Sequence, residues 1–167
     1  MNRLASLPVT LASTDPTRPR LTWYDDADGP TRGERIELSG RVIANWVAKA
    51  ANLLVDELGV ERGDVVVLDL PTHWRAVYWA LAAWRVGAVV SPEPDARAVV
   101  VVTDRPQQTP IAPGARVVAV SLPALARSWA GRALDGAVDE ATDLLGQPDA
   151  FEPFDEPDDG DDALAVE

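Results

Sequence analysis

The chain has 167 residues, 47% of them apolar, enough for one domain with a core, and it carries a net charge of −12. Nine of its acids and none of its bases fall in residues 149–167, so the remainder is nearly balanced and lacks the clustered Lys and Arg that nucleic acid demands. With no cysteine and one histidine, disulfides, thiolate zinc sites and His-rich metal sites are excluded, and no apolar run approaches the roughly 20 residues of a membrane span.

Leu4, Leu7, Val9 and Leu11 allow a short helix within residues 1–14, interrupted by Pro8. Asp15-Pro16 and Arg18-Pro19 make a turn-rich connector, and a strand is expected from Arg20 to Tyr24. Asp28-Gly29-Pro30 predicts a hairpin loop, with Arg35 to Leu38 as the returning strand. Ser39 then caps a helix from Gly40 to about Leu58, whose stripe includes Ile43, Val47, Ala50 and Leu54. Gly59 ends it. Val65 to Leu70 has the length and β-branched content of a buried parallel strand, and Pro71 closes it. Thr72 is expected to cap a helix from His73 to about Val86, with Gly87 at its C-terminal stop. Ala88-Val89-Val90 starts a second strand, and a right-handed crossover makes the pair parallel.

Six residues, Pro92 to Arg97, separate this strand from the next, Ala98 to Thr103. A helical crossover between parallel neighbours needs a dozen or more. Either a helix is missing there, or the two strands are not sheet neighbours. Asp104 to Ala115 reads as a loop and Arg116 to Val120 as a strand. Ser121 is expected to cap a helix carrying Leu122, Leu125, Ala126 and Trp129, and Val138 to Leu145 a further short helix. Pro, Asp, Glu and Gly dominate from Gln147 onward. Composition therefore predicts a domain, 1–147, followed by a disordered acidic tail, 148–167.

The β-α-β stretch from Gly59 to Pro92 resembles the N-terminal region of acyl-adenylate-forming enzymes: acyl-CoA synthetases, peptide-synthetase adenylation domains and luciferases. Gly59-Val60, Gly63-Asp64, Leu70-Pro71 and Gly87-Ala88 fall in register with that family's pattern, as do Ala44, Ala51-Asn52 and Leu53-Leu54 of the preceding helix. Thr72 stands where the family has asparagine. The resemblance spans Leu21 to Pro92 and is similar again to short actinobacterial proteins that look like abbreviated acyl-CoA synthetases. It implies an α/β fold, with a small, mostly parallel sheet flanked by helices and an N-terminal β-hairpin. The family grips a triphosphate with a Ser/Thr/Gly-rich loop ending in Pro-Lys, and it uses a distal acid and a C-terminal lysine. These 167 residues contain no such loop, and Lys49 is their single lysine.

Ligands of α/β folds gather at the carboxyl ends of strands, so Asp69, Thr72, His73, Ser91, Thr103 and Asp104 form the candidate ligand crevice. Asp69 either faces a ligand or accepts backbone or Arg hydrogen bonds at its strand end. His73 either serves chemistry or finishes a helix N-terminus, whose field keeps it neutral. The helix holding Trp74, Trp79 and Trp84 is apolar nearly all round; it is core, or it is an interface for a protein partner or a second copy. The leading expectation is a non-catalytic relative of the acyl-CoA synthetases, acting as an interaction or accessory module. The alternatives are a part completed in trans by another chain, or a small-molecule-binding module. No catalytic residue, metal or cofactor is expected, no nucleic-acid or membrane partner, and a cytoplasmic location.

Overall fold

The computed structural model describes residues 3–29, 31–132 and 135–165. Its elements are α1 (Arg3–Ser13), β1 (Pro19–Tyr24), β2 (Arg35–Ser39), α2 (Gly40–Asn52), β3 (Val65–Asp69), α3 (Trp74–Val86), β4 (Val89–Ser91), β5 (Ala98–Thr103), β6 (Arg116–Ala119), β7 (Val138–Asp139) and α4 (Glu140–Asp143). β1 and β2 pair antiparallel as the N-terminal hairpin. The other five strands form a parallel sheet in the order β4-β3-β5-β6-β7.

That order answers the six-residue question. β4 and β5 are not neighbours; they flank β3 on opposite sides. β4 is three residues long, so its end at Ser91 lies level with Val67 in the middle of β3. An extended link through Pro92 to Arg97 can therefore return to the start of β5, two strand spacings away (about 10 Å), without a helix.

Alternation along the strands splits the core. Val66, Val100, Val102 and Val118 point into one large cluster with α2 and α3. Val65, Val67 and Val101 face the other side, where Ile111, Ala112 and Ala115 of the loop after β5 cover them. α2 starts on Ser39, whose hydroxyl accepts from the Val42 amide, and it runs on through a π-helical turn at Leu53–Glu57. Gly40 is required by close packing, because a Cβ there would sit 2.2 Å from the Leu11 carbonyl oxygen of α1. α3 ends on Gly87 in the left-handed conformation, φ 87°, the expected stop.

Three expectations need correction. Ser121 to Trp129 forms no helix: Ser121 bonds the Ser128 carbonyl across a turn, and Leu125 is 92% exposed. Val138 to Leu145 divides into β7, α4 and a 3-10 turn, because Val138 and Asp139 are recruited to the edge of β6. The acidic segment, expected to be disordered, lies against the body over residues 148–165; residues 166 and 167 fall outside the described set. Its acids meet Lys49, Arg62 and Arg85, and Leu164 bridges Val90 of β4 in parallel.

Candidate functional site

Parallel pairing puts the ends of β3 and β5 level, with Asp69 opposite Thr103. The Asp69 carboxylate accepts from the Thr103 hydroxyl at 3.1 Å and from Thr109, and it pairs with the Arg105 guanidinium at 2.6 Å. Burial pushes the Asp69 carboxyl up, but the two threonine hydroxyls and Arg105 outweigh it and hold the group below its usual range. Asp69 is thus a satisfied strand-end acceptor. Thr103 is fully buried, and its hydroxyl also accepts from the Arg105 amide at 3.0 Å. Asp104, beside it, is raised by burial, with Arg105 opposing.

The remaining crevice residues turn elsewhere. Ser91 donates to the Glu93 carbonyl at 2.7 Å within its own loop. The Thr72 carbonyl accepts from the Trp23 indole at 2.9 Å, which ties the hairpin to the mouth of α3. His73, not Thr72, is the N-cap: its Nδ1 accepts from the Arg75 amide at 3.2 Å. That bond places the proton of the neutral ring on Nε2. The ring packs edge-on against Trp23, 4.3 Å between centroids, and burial with the charge of Arg75 pushes its pKa down to about 4. His73 is therefore a neutral capping group above that pH. The structure brings Asp69 and Thr103 together and leaves His73 and Ser91 in separate local arrangements.

A buried charge cluster joins the first turn of α3 to the start of α4. Arg75 pairs with Glu140 at 3.2 Å, both side chains almost wholly buried, and Tyr78 and Trp79 donate to the same carboxylate. Burial pushes the Glu140 carboxyl up to about 7, while Arg75 pulls against it. Sequence reading missed both residues. Glu140 falls beside a two-residue strand, and nothing local announces that a partner 65 residues earlier will meet it.

The tryptophans of α3 divide. Trp79 is 0% exposed and Trp74 is buried among Trp46, His73 and Tyr78, so the chain itself covers both. Trp84 is half-buried and donates to the Ala163 carbonyl at 2.7 Å. The outer face of α3 keeps an open, largely apolar groove of about 540 Å³, between Leu7 and Leu11 of α1, Arg20 of β1, and Ala76, Ala80 and Trp84. Among the described residues there is no group of three or more His, Asp or Glu side chains arranged to hold a metal ion, and no helix is long and apolar enough to cross a membrane.

Comparison with known proteins adds the following. The family model described as AMP-binding enzyme matches residues 11–121, about two thirds of the chain. A Mycobacterium tuberculosis protein is 47% identical over 74 residues, which are 44% of this chain and 29% of that protein. The mitochondrial acyl-CoA synthetase short-chain family member 3 of Mus musculus is 36% identical over 64 residues, 38% of this chain and 9% of the enzyme. Among solved structures, the acetoacetyl-CoA synthetase of Streptomyces lividans superposes with a TM-score of 0.69 at 25% identity, covering 96% of this chain and 27% of that one. The N-terminal domain of FACL13 from Mycobacterium tuberculosis gives 0.65 at 19% identity, covering 98% and 41%. The matches span less than a third of the length of these curated relatives.

Proposed function

The chain belongs to the AMP-binding enzyme family, and on that premise we propose that it works as an interaction or accessory module of an acyl-CoA-synthetase-like system, not as a self-sufficient adenylating enzyme. The observation that carries this reading is the charge state of the strand-end rim. A bound triphosphate needs several backbone amides or cations aimed at it. The rim offers Arg105, which is already paired with Asp69 and lies 3.7 Å from Asp104. One guanidinium is thus shared between two carboxylates and is not left free for an incoming anion. Lys49, the single lysine, is held by Asp149 at 3.0 Å and by the Gln147 carbonyl.

A second reading is a part completed in trans, in which another chain supplies the phosphate-gripping loop and lysine. The open apolar groove along α3 favours it, because unpartnered apolar surface is what a missing neighbour leaves behind. MgATP titration followed by tryptophan fluorescence tests the leading reading. It expects no saturation in the micromolar range. Micromolar binding abolished by Arg105→Gln would contradict it, since the rim would then be a working phosphate site.

A further inference from the structure

The acidic segment is attached in an unusual way. Asp155, Asp158 and Asp161, spaced by three, all converge on the guanidinium of Arg62, at 3.2, 2.9 and 2.7 Å. Glu156 reaches Arg85 at 3.3 Å. Beyond these ion pairs the backbone docks: the Val90 amide donates to the Ala163 carbonyl at 3.1 Å, and the Ala165 amide to the Val90 carbonyl at 2.9 Å. The segment thus extends the sheet beside β4, an edge strand of three residues whose outward amides and carbonyls would otherwise be unpaired.

Recognition of this kind reads chain direction, extension and negative charge, and little else. Main-chain pairing supplies affinity, while the two arginines and the Trp84 indole set register. Most of the ion pairs have an exposed carboxylate partner, and such pairs are individually weak and screened by salt. A segment held this way opens more readily than core strands such as β5.

We propose that the open edge of β4, with Arg62, Arg85 and Trp84, is a docking site for an extended acidic strand, that residues 152–165 fill it in cis, and that the same segment of a second copy of this chain fills it in trans. The identical sequence makes the identical contacts, so the trans complex loses nothing but the effective concentration that tethering provides. The exchange produces self-association that grows with protein concentration. This inference is independent of the reading on adenylation, and either stands if the other fails.

The test uses the full chain carrying Asp155→Asn, Asp158→Asn and Asp161→Asn, which loosens its own segment while leaving the site intact. A fluorescein-labelled peptide with the sequence of residues 148–165 is added, and anisotropy is followed. Saturable binding is expected, weakening several-fold between about 50 mM and about 500 mM salt, and lost when Arg62→Gln is added to the receiving chain. Circular dichroism and a cooperative melt confirm that each receiving chain is folded. Absence of saturable binding to the folded triple variant would overturn the proposal. So would equal binding with Arg62→Gln in place, or equal binding of a scrambled peptide of the same composition, which would reduce the contact to bulk charge.

Discussion

His73 shows how a residue with chemical potential can be consumed by structure. Its Nδ1 caps α3 and its ring lies against Trp23, so protonation would cost both the cap acceptor and an apolar environment. Its folded pKa, about 4, lies below the ordinary 6.5, so between these values the unfolded chain binds more protons. Stability contributed by the neutral ring is therefore present above about pH 6.5 and is lost as pH falls towards 4. The loss is at most about 3 kcal/mol. His73→Asn keeps a side-chain acceptor at the cap and removes the titration. In urea melts at a series of pH values, it should flatten the decline over that window; an unchanged decline would place its origin elsewhere. Glu140 works in the opposite sense. Burial raises its pKa from 4.5 to about 7 against the pull of Arg75, so between those values the folded chain binds more protons than the unfolded one, and the contribution of this group falls as pH rises through that window.

At the scale of elements, the β3-α3-β4 unit was legible because every cue for it is local. The β-branched run, Pro71, the apolar helix and Gly87 lie in sequence order and agree with one another. The strand order was not legible, since the placement of β5 on the far side of β3 depends on pairing that no local pattern encodes. The failed helix after Ser121 has a related cause: Leu125 finds no surface to cover, and helical spacing without burial does not hold a short helix. Trp79 is the opposite case, a residue whose periodicity allowed two readings. The structure places it at 0% exposure among core residues, within reach of Glu140. Trp79→Ala should cost ~3–5 kcal/mol of stability as a core truncation. Sedimentation of the folded variant should show unchanged association; weakened association without loss of stability would return Trp79 to an interface role.

For the molecule as a whole, the acidic end illustrates where composition misleads. Counting Asp, Glu, Pro and Gly predicts a solvated tail, but the count is blind to Arg62 and Arg85, which lie more than 60 residues earlier and meet those acids. The candidate crevice was read as a row of strand ends, and the structure shows what two of those ends hold. Asp69 and Thr103 do meet there, but Arg105 pairs with the Asp69 carboxylate and Thr109 donates to it, both from a loop with no periodicity to read. Membership of the AMP-binding family and a rim poor in free positive charge together support the central proposal, that these residues form a family scaffold that does not activate a carboxylic acid unaided. Adenylation must stabilise charge that builds on phosphate oxygens as a carboxylate oxygen attacks the α-phosphorus and pyrophosphate leaves, and a preorganised cation or amide cradle is the means. ATP–pyrophosphate exchange by the purified chain, across a panel of fatty, aromatic and amino acids, tests this most directly. The account predicts exchange at the level of boiled protein for every acid. Exchange well above that control, in protein free of host synthetases and lost on Arg105→Gln, would contradict it.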